Sequence, residues 1–362
     1  MTTTTSPAAT DDPIDDDRPR TIHTRTADDV LSLLGSMLSS LALVWVVYER
    51  LIGLNGILGF LLCWFAAYLA IYATVTARTN PGTVVIDRLV SGVVHGAAGI
   101  VGLVLVTTVA YVFIEGWPAL SHLNFYTSDM AGVRPTSPLT EGGVLHAMVG
   151  SAVQISIAVA IALPLGIATA VYMNEVGGRL ATSVRTVVEA MTALPDVLAG
   201  LFVYTVLIIG FQWERDGMAA ALALATTMVP VIARSAEVVL AAVPGGLREA
   251  GLALGATKWS TVRRVVLPTA KSGLATSLIL GIARITGETA PLLIVSGAST
   301  FFNADPMHEP MNSLPLFIFT AVRSGEPLYI ARGYGAAALL SSLVLALFVL
   351  TRILARSRQG NR

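Results

Sequence analysis

The sequence predicts an all-helical, polytopic protein that crosses a membrane about eight times. Two observations carry this. Of its 362 residues, 54% are hydrophobic and only 13% charged, where an ordinary soluble domain holds about 25% charged residues. The apolar residues also gather into runs of about 20 residues, the length a helix needs to cross about 30 Å of hydrocarbon. Backbone groups cannot stay unpaired in lipid, so such runs read as helices. Formal net charge is zero, which speaks against a nucleic-acid partner. The single cysteine, Cys63, sits in an apolar run and cannot form an intrachain disulfide.

Taken in order, residues 1–29 are Thr-rich and then acidic, with Asp11, Asp12, Asp15, Asp16 and Asp17, and nothing there buries a core. They read as a disordered cytosolic tail and not as a cleavable signal peptide, because acid precedes any apolar run. Residues 30–80 read as an accessory helical hairpin, Val30–Tyr48 and Ile57–Ala77, turning at Glu49, Arg50, Asn55 and Gly56. The third span is expected at Leu89–Ile114. A fourth lies within Gly142–Asn174, with Pro164 kinking it. The rest are Val187–Gly210, Gly217–Val243, Ser272–Gly297 and Gly333–Leu350, and residues 356–362 form a basic cytosolic tail. Two long outer segments, 115–141 and 298–332, separate spans, and the apolar Leu314 to Ala321 stretch is too short to cross, so it reads as a surface or re-entrant helix. With both termini in the cytosol, sixteen Lys and Arg flank the inner side, while Arg50, Arg134, Arg215, Arg323 and Arg332 remain outside.

Ionisable residues inside spans are costly and therefore informative. Arg284 and Glu288 are four apart, so they share one helix face and are expected to pair, with Arg284 near mid-bilayer, about 18 Å from Ser272. Arg234 and Glu237 are three apart in the sixth span. Asp196 follows Pro195, where a helix break exposes backbone to a cavity. Such pairs also serve as neutralised helix contacts, and Glu189 reads that way. A mid-depth guanidinium suits a tetrahedral oxyanion, whether phosphate, sulfate or molybdate.

Between the sixth and seventh spans lies EAGLALGATKWSTVRRVVLP, residues 249–268, inside a loop expected over 244–271. Its Glu249, Lys258, Arg263 and Arg264 cannot lie in hydrocarbon. Alanines and leucines favour a short helix, Gly255 breaks it, and Pro268 forbids continuation. The stretch resembles the EAA loop of ABC importer permeases at Glu249, Ala250, Gly251, Gly255, Val265, Leu267 and Pro268, with Gly251 and Val265 as conservative departures.

From about residue 89 to 355 the chain further resembles the PstA permeases of phosphate ABC transporters, through GGVLHAMVGS (142–151), LPLGIATAVYMNE (163–175), LPDVLAGLFVY (194–204), ARITGETAPLL (283–293) and NSLPLFIF (312–319). Asp196 departs from the small uncharged residue expected there. The resemblance implies a six-helix type I importer core and a phosphate path containing Arg284, Glu288, Arg234, Glu237 and Asp196. It also implies a coupling role for Glu249, Ala250, Gly251, Gly255, Leu267 and Pro268. The implied partners are a PstC-like second permease, a PstB-like ATPase dimer using ATP and Mg, and a PstS-like external binding protein. No P-loop is present, since Lys271-Ser272 follows Ala270 where glycine is needed, and the histidines form no metal-ligand cluster. The expectation is a plasma (inner) membrane transport subunit, not an enzyme, without catalytic residues, metal or cofactor of its own. A self-sufficient anion carrier or channel is the competing class.

Overall fold

The computed structural model describes residues 27–53, 56–78 and 80–356. The expected acidic tail falls outside the described residues up to position 26, and its last residues already belong to a helix. The basic tail falls outside them beyond Arg356, as does Asn55 in the first turn. Every regular element among the described residues is helical. The chain divides into two compact units, Met1–Leu105 and Val106–Arg362, and the division falls inside a long helix, not between residues 80 and 89.

In the first unit, α1 (Ala27–Trp45) continues through a π-helical turn at Val46–Leu51 and is followed by α2 (Ile57–Ala77). Tyr48 closes this hairpin. Its ring meets Phe60 edge-on at 5.8 Å and its hydroxyl donates to the Gly56 carbonyl at 3.2 Å. Gly59 leaves the space that the hydroxyl occupies. Deeper along the pair, Trp64 Nε1 donates to the Met37 carbonyl at 3.3 Å. The helix that follows, α3 (Gly82–Leu120), is 39 residues long, well beyond the expected Leu89–Ile114.

The second unit is organised on α8 (Gly217–Ala241), whose Ala220, Leu224, Met228, Ile232, Ala236 and Leu240 are buried. Small residues on its neighbours let the backbones approach, the usual solution where lipid gives no hydrophobic drive between helices. On α5 (Leu145–Val171), a Cβ added at Gly166 would meet Ile232 at 2.7 Å. On α11 (Leu267–Thr286), one at Gly281 would meet Met228 and Ile232 at 3.0 Å. At the other end, α4 (Asn124–Thr127), α13 (Leu314–Arg323) and α14 (Pro327–Arg356) share a core of Phe125, Val144, Ala147, Phe317 and Ala336. Arg332 is buried there, 1% exposed, and its Nη2 donates to the carbonyls of Ser137, Pro138 and Glu141 at 3.1, 2.7 and 2.9 Å. The short apolar helix α13 is thus packed inside the protein, capped by Ser313 and tied to α5 by a 2.8 Å bond from the Leu314 amide to Ser151 Oγ.

Seven helices among the described residues are long and apolar enough to cross a membrane, or eight if one bent pair counts as a span. That pair corrects the expected fifth span. The helices α6 (Gly178–Ala193) and α7 (Asp196–Val203, running on as a π-helical turn to Gly210) bend by 102°. Leu194, before Pro195, is driven extended with ψ 137°, as steric conflict with a following proline ring demands. The seventh span is corrected too. Helix α9 (Gly245–Ala253) precedes α10 (Lys258–Thr261), from which the chain stays helical through a π turn at Val262–Val266 into α11, up to Thr286. Pro268 therefore does not stop the helix. It lies in the first turn of α11, where a missing N–H costs least. The real break comes at Gly287, and α12 (Ala290–Val295) restarts beyond it with Pro291 in its first turn. Likewise α5 passes through Pro164 without interruption.

Candidate functional site

Arg284, Asp196 and Glu288 come together where the two breaks face each other. Arg284 lies in the last turn of α11 and Asp196 in the first turn of α7, each where the helix dipole favours its charge. Arg284 Nη2 donates to Asp196 Oδ2 at 2.8 Å and Oδ1 at 3.1 Å. Glu288, the partner expected from spacing, stands farther off at 3.7 Å. The reason is the break at Gly287, which takes Glu288 off the face of α11. One guanidinium thus faces two carboxyl groups, and the Arg284 side chain remains 47% exposed. A cavity of about 310 Å³ opens here, lined by Thr192, Pro195, Asp196, Thr226, Thr227 and Arg284. Gly200 sets the approach of α7 to α12, since an added Cβ would lie 2.6 Å from Pro291 Cα.

Arg234 and Glu237 belong to a second cluster. Glu237, 7% exposed, lies between two arginines. Arg185 Nε donates to its Oε1 at 2.7 Å, and Arg234 Nη1 to its Oε2 at 3.0 Å. Arg234 Nη1 also stands 3.3 Å from Glu189 Oε1. Two arginines are balanced by two glutamates, and the lattice ties α6 to α8. The i,i+3 pair was readable from spacing. Arg185 was not, although its position four residues before Glu189 places both on one helix face.

The charged loop forms a third arrangement. Gly255, at φ +81°, ends α9 in the left-handed conformation that glycine alone enters freely. Gly251 admits Thr261, whose Cγ2 would lie 3.1 Å from an added Cβ, so α9 lies close on α10. Arg248 anchors the loop. It donates to Glu175 Oε1 at 2.9 Å and to the carbonyls of Val243 and Leu240 at 2.7 and 2.8 Å. The sequence marks Arg248 as one of the loop's charges and Glu175 as the end of the LPLGIATAVYMNE stretch, but not that the two pair. Glu249, Ala250 and Pro268 are exposed and Leu267 is half-buried. Around them Leu247, Leu252, Leu254 (89% exposed) and Trp259 (65% exposed) are apolar side chains left exposed on an otherwise charged loop.

The family described as "Binding-protein-dependent transport system inner membrane component" matches residues 162–359. The chain belongs to this family. It is a family of transport permeases, and the protein is a multi-pass membrane subunit of that kind. The chain is 40% identical over 227 residues to "Phosphate transport system permease protein PstA 1" of Mycobacterium tuberculosis (strain CDC 1551 / Oshkosh), covering 62% of this chain and 74% of that one. It is 39% identical over 241 residues to "Phosphate transport system permease protein PstA" of Mycobacterium leprae (strain TN), covering 66% and 79%. With the Haemophilus influenzae protein of the same name it shares 32% identity over 257 residues, covering 70% and 88%. All three charged arrangements, built on residues 175–288, lie within the family match, whereas α1, α2 and α3 precede it.

Proposed function

We propose that the chain is a permease subunit of an ATP-driven phosphate importer, forming with a second permease the path by which phosphate crosses by alternating access. The observation that carries this is the 32–40% identity to phosphate transport permeases of three organisms over most of their lengths. The Arg284 cluster supports it: a half-exposed guanidinium in a cavity between helix breaks is chemically fitted to an oxyanion. Asp196, Glu288, Arg234 and Glu237 belong to the same proposal, the first two beside Arg284 and the last two as the α6–α8 brace. The exposed apolar rim of the 244–271 loop, with Glu249, Ala250, Gly251 and Gly255, supports docking of an ATPase dimer that supplies ATP and Mg chemistry from outside this chain. An extracytoplasmic binding protein delivers the anion, and both termini lie in the cytosol.

The test is reconstitution in vesicles with the ATPase, the second permease and the binding protein, following labelled phosphate with sulfate and molybdate as competitors. ATP-dependent phosphate accumulation is expected. Uptake that needs no ATPase would make the chain a carrier, and preferential accumulation of sulfate or molybdate would reassign the substrate. Topology is read separately in a Cys63→Ser background: cysteine at Ser260 should be labelled only from the cytosolic side and cysteine at the exposed Ala304 only from outside.

A further inference from the structure

The cavity at Arg284 differs from a simple anion trap in what its other polar side chains present. Three threonines line it, Thr192 on α6 and Thr226 and Thr227 on α8. Thr192 Oγ1 donates to the Glu189 carbonyl at 2.7 Å, Thr226 Oγ1 to the Leu222 carbonyl at 2.9 Å, and Thr227 Oγ1 to the Leu224 carbonyl at 2.9 Å. A carbonyl only accepts, so each hydroxyl hydrogen is committed to the backbone of its own helix. Each hydroxyl therefore offers the cavity an oxygen with lone pairs and no hydrogen. The ionised carboxylate of Asp196 likewise only accepts, and the rest of the lining, with Leu198 and Phe202, is apolar. Arg284 is left as the donor among the side chains that line the cavity. Its contacts to Asp196 and Glu288 all run through Nη2, while Nη1 and Nε have no hydrogen-bond partner among the described residues.

An oxyanion seated on that guanidinium is thus held by one donor group and has acceptors around it. Matching of donors to acceptors then decides which anion fits. Near neutral pH, phosphate and arsenate each keep at least one hydrogen, so they donate as well as accept. Sulfate, selenate and molybdate keep none and only accept. Against Asp196 and the threonine oxygens, a bare anion oxygen sets lone pair against lone pair, whereas a P–O–H group brings the missing hydrogen. A site that bonds a substrate hydroxyl rejects the analogue lacking it far more strongly than an apolar pocket rejects a small difference in size. We propose, resting on the phosphate path argued above, that the Arg284 cavity selects its anion by the hydrogen the anion carries, with Asp196 as the main acceptor and Thr226 and Thr227 as supporting ones. Arg284 supplies attraction that every oxyanion shares, and Asp196 supplies the discrimination.

Two pairs of anions matched in size separate protonation from fit: phosphate with sulfate, and the larger arsenate with selenate. The chain, purified with its partner subunits but without the external binding protein, is titrated with labelled phosphate, and the other three anions are read as competitors. Arsenate should compete within about threefold of phosphate. Sulfate and selenate should each bind about tenfold or more weakly than the matched partner, the worth of one hydrogen bond to a charged group. In Asp196→Asn the amide brings N–H donors beside its acceptor. Both phosphate and sulfate gain from release of Arg284, so the change is read in their ratio, and the preference for phosphate should fall about tenfold. Thr226→Val combined with Thr227→Val removes two neutral acceptors and should lower the same ratio about threefold. Equal binding within each pair by the wild-type complex would mean that only charge and size are read, which overturns the inference and leaves an oxyanion path in place. An Asp196→Asn complex that keeps the wild-type ratio overturns it too, and the wild-type comparison decides alone if that variant does not assemble. A complex that binds no labelled phosphate would remove the phosphate path itself, and the inference with it.

Discussion

Asp196 holds the guanidinium that the anion is proposed to use, so neutralising it should make the path bind more tightly. In Asp196→Asn, Arg284 loses the carboxylate that contacts it at 2.8 and 3.1 Å and keeps only Glu288 at 3.7 Å. With the side chains 47% and 27% exposed, the pair behaves as a partly solvated ion pair, worth at most about 1 kcal/mol after screening. If a phosphate must displace Asp196 from Arg284, releasing that energy raises apparent affinity by up to about fivefold. Equilibrium binding of labelled phosphate to the purified complex, without the binding protein, measures it directly. The same series should include Arg284→Lys, Arg284→Gln and the double Asp196→Asn, Arg284→Gln variant. Lysine keeps charge but loses the planar fork and should be severely impaired, and the double variant should stay inactive. Near-normal uptake by the double variant at matched expression would show that the two charges only neutralise one another, and would refute the assignment.

Four further outcomes are expected. Gly200→Val, which drives side-chain atoms into Pro291, should cost about 1–3 kcal/mol of overpacking and lower the thermal midpoint of the complex; an unchanged midpoint would mean α7 and α12 are not in close contact. Gly255→Val, at φ +81°, or Leu254→Ser with Trp259→Ser on the exposed rim, should leave membrane insertion intact while lowering ATPase recovery and phosphate uptake; full recovery would remove the coupling role. Arg332→Met removes the donor that ties the buried Arg332 to the carbonyls of Ser137, Pro138 and Glu141 and should destabilise by about 1–3 kcal/mol, read by thermal unfolding, with an unchanged midpoint contradicting the packing described. In the 298–332 loop, the hydrogen bond to Asp305 at 2.8 Å, reinforced by its charge, holds His308 above its usual value of about 6.5. Asp305 is held below its own by the Met307 amide and His308. The contact is then fully present between the two titrations, lost as pH rises through the raised His308 value and lost again as pH falls through the depressed Asp305 value. A titration of the His308 ring by NMR should have its midpoint above 6.5, moving down in Asp305→Asn; an unmoved midpoint would exclude the pair.

Much of this was legible in the chain itself because membrane helices declare themselves by composition. The second span coincides with α2, and the sixth begins at Gly217 as expected. The break at Leu194–Pro195 was foreseeable from proline stereochemistry, though its 102° angle was not. Pairing was the hidden part. Helical spacing nominated Glu288 for Arg284, but the chosen partner is 88 residues away. Glu237 draws Arg185 across 52 residues and Arg248 takes Glu175 across 73. Such choices depend on which helices pack together, information that local periodicity does not hold. Pro268 misled for the opposite reason: a proline in the first turn of a new helical stretch looks, in sequence, like one that ends the last.

The uninterrupted helix from Lys258 to Thr286 has a mechanical consequence. Its 29 residues form a rod about 43 Å long, with the apolar rim around Trp259 near one end and Arg284 near the other. A tilt of about 4° about the rim end would carry the far end some 3 Å, comparable with the whole 2.8 Å Arg284–Asp196 contact. Gly287, with nothing within 4 Å of an added Cβ, sits where such a rod meets the rest of the chain, while α12 stays held to α7 through Pro291 and Gly200. A lever with a free joint beyond its tip needs no bending of the helix and no chain of rotamer changes. A partner pushing on the loop would open or close the arginine's grip in a single rigid stroke.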